Sequence, residues 1–573
     1  MRYLALATDY DGTLATDGRV DDRTIQALER LKASGRKLLM VTGRNLRDFE
    51  RVFPRLELFD RVVAENGALV YDPANREEKV LAEAPKEEFL KALLAARVTL
   101  DVGRCIVASW TPAEIAILQI IKRMGLDYQV IFNKVAVMVL PSGINKATGL
   151  RAALEGLQLS AHNTVAIGDA ENDHAFLSAS ECGVAVQNAL PALKEKADAV
   201  MAGDHGSGVV ELVEQLLEDD LRLWDQRLVR SSLSIGAQQH PRADGVKNEV
   251  RIVPNRNSVL VAGVSASGKS STVAAILEEC EEHGYQFCLI DPEGDFEGLA
   301  GALVVGSPSE QPDAKSVSQA LTSTQSLLVN LMGVPLPERP GAFQALLPRI
   351  LETRAKTGRP HWLVLDEAHH LLPTTWSPAS SAIPRELGGT ILVTVHPEHV
   401  SPAALAFVDM VIATGKAAAR TLGEFSRAAQ ITPTRSTLVE PQPGEALVWL
   451  ARSAGAEPML VRTRRATAER RRHKRNYAQG ELSPEQSFYF RGPEGKLNLR
   501  AQNLMTFLQV GEGVDDETWL FHARRGDYSR WFESMIKDEE LAASAREIER
   551  SERPAEGRKK LRAAVESRYT APA

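Results

Sequence analysis

The chain has 573 residues, which at about 150 residues per domain implies several domains rather than one. Hydrophobic residues make up 44% and charged residues 25%, ordinary globular usage that excludes fibrous and wholly disordered classes. A formal net charge of -7, from 68 Lys and Arg against 75 Asp and Glu, gives the molecule as a whole no pull towards a polyanion.

Cys105, Cys182, Cys280 and Cys288 are scattered with no C-x-x-C pair, which suits reduced, buried thiols rather than a disulfide framework or zinc site. Asp9 and Asp11 follow Met1 too closely to leave room for the apolar core of a signal peptide, and no run of about 18 apolar residues occurs. The expectation is a cytoplasmic protein with no membrane partner.

In chain order, apolar runs at Tyr3 to Ala7, Lys37 to Val41, Val62 to Ala64 and Thr164 to Ile167 alternate with amphipathic segments, the pattern of a parallel sheet with helices. Residues 1–215 are therefore expected to form an α/β domain, and 216–248 a polar linker. A second alternating series occupies 249–465, with runs at Val259 to Ala262, Phe287 to Ile290, Leu327 to Leu331, Trp362 to Leu365, Ile391 to Val395 and Met410 to Ala413. Residues 466–573 read as a basic connector and a small, mostly helical domain whose tail after Arg553 is polar and frayed.

Four pieces in the first domain share a chemistry. Asp9-Tyr10-Asp11-Gly12-Thr13-Leu14 puts two acids at a strand tip, and Gly12 permits a turn out of the sheet. Thr42-Gly43-Arg44 closes the second strand, where a hydroxyl and a backbone N–H can bind phosphate oxygens. Lys146 opens an amphipathic helix, and Gly168-Asp169-Ala170-Glu171-Asn172-Asp173 adds carboxylates suited to a hard cation.

One acidic strand end would be a common turn former; four pieces in this order resemble the haloacid dehalogenase superfamily of phosphatases. That resemblance implies Asp9 as the nucleophile that forms an aspartyl-phosphate and Asp11 as general acid and base. It implies Thr42 and Lys146 as holders of the phosphoryl oxygens, and Mg2+ bound by Asp9, the Asp11 carbonyl and Asp169, with Asp173 and Asn172 in support. A cap at about 70–143, with strand signals at Cys105 to Ser109 and Lys134 to Leu140, resembles that of the subclass IIB or Cof-type members, which implies a small phosphorylated metabolite as substrate, a phosphosugar or a phosphoglycolate-like ester.

In the second domain a strand runs into Gly263-Val264-Ser265-Ala266-Ser267-Gly268-Lys269-Ser270 and then an amphipathic helix, the context of a phosphate-binding P-loop. Gly263, Ser265, Ala266, Ser267, Gly268, Lys269, Ser270 and Ser271 are its candidate ATP-binding residues. Asp366, at the end of a later apolar run, would orient Mg2+, and Glu367 beside it would polarise an attacking water. His396 is a candidate sensor of the γ-phosphate, whereas His369 and His370 read as a solvated helix face. With Asp291 to Phe296 and the late strands Glu445 to Leu450 and Met459 to Val461, the domain resembles the HerA/FtsK branch of P-loop ATPases. That branch implies a homo-oligomeric ring, with Arg385, Arg420 and Arg427 as unranked finger candidates.

The run of Arg462, Arg464, Arg465, Arg470, Arg471, Arg472, Lys474 and Arg475 could bind nucleic acid, but a solvated connector is favoured. Phe488, Tyr489, Phe490, Trp519, Tyr528, Trp531 and Phe532 read as core anchors. The expected fold is multidomain α/β: a Rossmann-like core with an inserted α/β cap, a P-loop domain of RecA/ASCE-like type, and a helical C-terminal domain. Its expected activity is a Mg2+-dependent phosphatase joined to an ATP-hydrolysing domain. The rivals are a HerA-like DNA motor with an accessory phosphatase, and an ATP-regulated phosphatase switch.

Overall fold

The computed structural model describes residues 1–573 except 134, 225–228, 240–247, 255, 265–266, 297–298, 300, 377–387, 432–438, 454, 467–481, 483, 485, 537 and 570–573. The chain forms two compact units, residues 1–232 with 351–359 and residues 233–350 with 360–573.

The first unit is built on an eight-stranded sheet. Its strands are β1 (Ala5–Thr8), β2 (Lys37–Val41), β3 (Arg61–Ala64), β4 (Leu69–Asp72) and β5 (Glu77–Val80). A four-stranded insertion follows, with β6 (Asp101–Val102), β7 (Val107–Trp110), β8 (Tyr128–Asn133) and β9 (Ala136–Pro141), before the main sheet resumes with β10 (Thr164–Gly168), β11 (Cys182–Ala185) and β12 (Ala199–Val200). The order β12-β11-β10-β1-β2-β3-β4-β5 places β1 and β10 side by side and parallel at the centre. Both strands are buried along their whole length, which is why they read as unbroken apolar runs. Chain connections leave β1 in opposite directions, so a crevice opens beyond the C-terminal ends of β1 and β10.

The insertion is an antiparallel sheet of order β6-β7-β9-β8 backed by helices Glu87–Ala95 and Glu114–Met124. Along β9 the side chains alternate: Val137 and Val139 join Phe89, Leu93 and Ile117, while Met138 and Leu140 join Ala68 of the main domain. The cap therefore starts later than the expected residue 70. Residues 69–72 and 77–80 are a hairpin that extends the main sheet antiparallel to β3.

The second unit contains an eleven-stranded sheet made of β13 (Leu233–Gln238), β14 (Glu249–Ile252), β15 (Ser258–Ala262), β16 (Phe287–Asp291), β17 (Leu303–Val305), β18 (Leu327–Asn330), β19 (Trp362–Leu365), β20 (Thr390–Thr394), β21 (Met410–Thr414), β22 (Glu445–Leu450) and β23 (Met459–Thr463). The expected linker 216–248 is corrected twice: helix His205–Asp219 runs into it, and β13 pairs with β14 and β23 inside this sheet. β20 lies between β15 and β19, so three strand ends meet at one edge.

Residues 482–569 add a small two-stranded sheet, β24 (Phe488–Phe490) with β25 (Leu499–Ala501), and a set of helices around Phe488, Phe490, Phe507, Trp519, Tyr528 and Trp531. Phe507 lies 5.2 Å from Phe488 and 5.0 Å from Trp531 between ring centroids, so the aromatic residues anchor a core. The tail expected to fray after Arg553 is a helix, Pro554–Tyr569, with Leu561 and Val565 buried in that core. All four cysteines are buried, and none is in a disulfide. Among the described residues no helix is long and apolar enough to cross a membrane.

Candidate functional site

β1 delivers Asp9, which is buried, and the chain turns out of the sheet through Gly12 at φ 87°. Helix Lys146–Gly156 begins beside it, capped by Asn145, whose side chain accepts the N–H of Ala147 and Thr148. A Cβ at Gly67 (φ 103°) would stand 1.9 Å from the Asn145 carbonyl oxygen, so only glycine lets the turn after β3 pass this close to the helix start.

Lys146 Nζ donates to Asp9 Oδ1 at 2.6 Å and to Asp173 Oδ1 at 2.5 Å. A cation in the first turn opposes the helix dipole, and Lys146 is 0% exposed, so these carboxylates are what keep it charged. Burial alone would lower its pKa; Asp173 and Asp9 outweigh that and hold it above the usual lysine range. Burial, then Asp173, pushes Asp9 well above the usual carboxylate range, with Lys146 pulling the other way.

Asp173 Oδ2 accepts the N–H groups of Asp169 at 2.7 Å and Ala170 at 2.9 Å, so both Asp173 oxygens are engaged. The Thr13 hydroxyl donates to Asp169 Oδ1 at 3.1 Å. Asp9, Asp169 and Asp173 offer carboxylate oxygens within 4.8 Å of one another, a donor set that fits Mg2+.

Thr42 is buried at the end of β2, where its Oγ1 accepts the Arg44 N–H at 3.2 Å. Arg44 forks onto Asp11, Nε to Oδ2 at 2.7 Å and Nη2 to Oδ1 at 2.8 Å, and also holds Asp48. The sequence names this arginine in Thr42-Gly43-Arg44 without giving it a role; its contact with Asp11 emerges only when β1 and β2 are adjacent. Asn172 Nδ2 donates to Asn66 Oδ1 at 3.0 Å, while Asn172 Oδ1 and Asn66 Nδ2 have no hydrogen-bond partner among the described residues. Such buried polar atoms are what a ligand would satisfy.

The cap closes over these groups. A Cβ at Gly43 would lie 3.4 Å from Met138 Sδ, so β9 passes directly above the Thr42-Gly43-Arg44 loop. Glu65 accepts the N–H groups of Arg104, Cys105 and Ile106 at 2.7, 2.8 and 3.1 Å, tying the cap to the end of β3.

At the second sheet's edge, Gly263 follows β15 and Lys269 opens helix Lys269–Glu282 after Gly268 at φ 97°. Ser265 and Ala266 lie outside the described residues. Ser267 Oγ is 2.7 Å from Thr414 Oγ1 at the end of β21, and Ser270 and Ser271 are half-buried in the first helical turn. Lys269 Nζ donates to the Val264 carbonyl at 3.3 Å.

Asp366 and Glu367 follow β19, both buried, with Glu367 in the left-handed region at φ 41°. Burial, then Asp291 and Asp295, drives Asp366 well above the usual carboxylate range, and its Oδ2 has no hydrogen-bond partner among the described residues. Asp291 at the end of β16 is pushed up to about 7 by burial and Asp295, against the N–H groups of Phe296, Gly294 and Glu293. His369 is not on a solvated face: its side chain is 11% exposed, bonded to Thr394 Oγ1 at 3.0 Å and 3.4 Å from Glu367. Burial, with His370 and His396 nearby, lowers its pKa to about 3.

His396 follows β20 and donates its backbone N–H to Thr394 Oγ1 at 3.0 Å. Arg420 is paired with Glu424 on an exposed helix face, and Arg427 donates to the Gly423 carbonyl. Arg385, Arg470, Arg471, Arg472, Lys474 and Arg475 lie outside the described residues.

Residues 6–108 and 116–213 match the model of the haloacid dehalogenase-like hydrolases. A phosphoglycolate phosphatase of Methanothermobacter thermautotrophicus is 31% identical over 222 residues, covering 37% of this chain and 98% of its own. One from Methanosarcina acetivorans is 29% identical over 229 residues, covering 38% of this chain and 97% of its own. The crystal structure of a haloacid dehalogenase-like hydrolase from Bacteroides thetaiotaomicron aligns with 37% of this chain and 99% of its own, at 19% identity and a TM-score of 0.34.

Proposed function

The chain belongs to the haloacid dehalogenase-like hydrolases through its residues 6–213, and on that premise we propose that this domain hydrolyses a small phosphate monoester through a phosphoryl group carried on Asp9. The observation that carries the reading is the convergence of Asp9, Lys146, Asp173 and Asp169 on one crevice beyond β1 and β10.

Asp9, the Asp11 carbonyl and Asp169 would hold Mg2+, while Asp173, with both oxygens engaged, fixes Lys146 and the 169–170 turn. Bound Mg2+ supplies screening between the carboxylate and the phosphate charges. An Asp9 oxygen attacks phosphorus and the ester P–O bond breaks, while Asp11 gives its proton to the departing oxygen. Arg44 occupies both Asp11 oxygens, so one of those bonds is released when the carboxyl carries that proton. A water then attacks the phosphoryl group, its proton returns to Asp11, and Asp9 and inorganic phosphate are restored. Lys146 and the Thr42 hydroxyl orient the phosphoryl oxygens throughout.

The position of the cap strand over Gly43 supports a small substrate, and the likeness to phosphoglycolate phosphatases supports a phosphoglycolate-like ester. A panel of phosphorylated metabolites tests this: phosphoglycolate or a small phosphosugar should be turned over with Mg2+. Activity confined to polynucleotide ends would contradict it.

For the second unit we infer ATP binding at the Gly263 to Ser271 loop and hydrolysis assisted by Glu367. The support is a glycine turn opening a helix at the same sheet edge as two buried acids. Lys269→Ala should abolish ATP hydrolysis. Stimulation of that activity by DNA in a salt-sensitive way would favour a motor, and a phosphatase rate altered by a non-hydrolysable ATP analogue would favour a switch.

A further inference from the structure

A group of imidazoles, among them the γ-phosphate sensor candidate His396, lies at the end of β20. His369, His370, His396 and His399 form a chain of rings, with centroids 4.0 Å apart for His369 and His370, 5.7 Å for His369 and His396, and 4.8 Å for His396 and His399. The outer end carries a carboxylate: His396 Nδ1 lies 3.2 Å from Glu398 Oε1, and their side chains are 50% and 38% exposed.

We propose that His396, Glu398 and His399 form a binding site for a divalent transition ion of the zinc class, separate from the magnesium chemistry of either unit. Each offers one ligand atom, and these atoms all lie within 4.8 Å of one another. A tetrahedral ion with metal–nitrogen bonds of about 2.0 Å needs its donors roughly 3.3 Å apart. Closing that gap takes small rotations of exposed side chains on one short turn, Pro397–His399, with Pro397 limiting the backbone freedom that binding would otherwise remove. Two imidazoles and a carboxylate favour zinc, nickel or cobalt over magnesium, which prefers oxygen donors. Three protein ligands leave a fourth position for water or an incoming group.

The position gives such an ion a route to the acids. The His396 N–H and His369 Nδ1 share the Thr394 hydroxyl at 3.0 Å each, and His369 stands 3.4 Å from Glu367. The site itself requires neither ATP hydrolysis nor phosphatase activity, so it can fail independently of both.

The test is titration of the full chain with Co2+ in excess Mg2+, read by the visible absorption of nitrogen-ligated cobalt, with Zn2+ as competitor. One equivalent of cobalt should bind and be displaced by Zn2+. His399→Ala should weaken binding by about 100-fold, and Glu398→Gln by about 10-fold. Asp169→Asn, which alters the other acidic centre, should leave the spectrum unchanged. Matching thermal unfolding curves would show that the loss is of ligands and not of fold, and His399→Gln serves if the alanine variant unfolds. Absence of the nitrogen-ligated bands, or binding of equal affinity in the His399 and Glu398 variants, would overturn the proposal.

Discussion

The acids of the two units sit in different electrostatic surroundings. Around Asp9 the protein supplies two cations of its own, Lys146 to Asp9 and Asp173 and Arg44 to Asp11 and Asp48, so part of the acidic charge is balanced within the fold. At the end of β19, burial, then Asp291, Asp295 and Glu367, hold Asp366 well above the usual carboxylate range. The first cluster interleaves its acids with cations from the same fold, whereas in the second buried acids face one another.

That contrast breaks most sharply on the nucleophile. Asp9→Asn should lower phosphatase turnover by about 10⁴-fold or more while ATP hydrolysis by the same protein is kept, as measured by phosphate release from each substrate. Lys269→Ala should do the reverse. Equal loss of both activities in either folded variant would mean that the two centres are one.

Arg44→Ala tests the part played by the fold's own cations at the first centre. With Asp11 no longer held at both oxygens, turnover should fall by about 100-fold with little change in KM. A change in KM alone would move Arg44 from orienting Asp11 to binding substrate.

The pH profile sharpens the role of charge. Asp9 must be ionised to attack, and burial and Asp173 raise its pKa, so activity should fall as pH drops through a value above the ordinary carboxylate range. Raising Mg2+ stabilises the ionised form and should carry this acid limb to lower pH. A limb that stays fixed across Mg2+ concentrations would detach it from Asp9.

The smallest effect is expected at the cap. Glu65→Gln replaces one of the oxygens facing three N–H groups with a donor, at a cost of about 2 kcal/mol to the closed cap. It should raise KM for a small substrate severalfold and leave hydrolysis of an unspecific aryl phosphate almost unchanged.

Much of this was legible because parallel strands buried on both faces read as continuous apolar runs. β1, β2, β10, β15 and β19 all fall where such runs occur, with acidic or glycine-rich turns at their C-terminal ends. What escaped depends on partners remote in the chain. β5 (Glu77–Val80) is an exposed strand without apolar alternation, so its place on the main sheet follows only from pairing with β4. β13 lies in a polar stretch and is made a strand by β23, whose residues come more than two hundred positions later. The last helix buries Leu561 and Val565 one turn apart within a charged sequence, too thin a stripe to stand out. His369 looked solvated because nothing local predicts that Thr394, 25 residues later, will bond its ring.

The most direct test is to quench the full chain in acid during turnover of phosphoglycolate with Mg2+ and map the phosphoryl group by peptide mass. The account predicts a phosphoryl group on the peptide bearing Asp9, absent from Asp9→Asn. Turnover with the label on a peptide lacking Asp9, or undiminished turnover in Asp9→Asn, would contradict it.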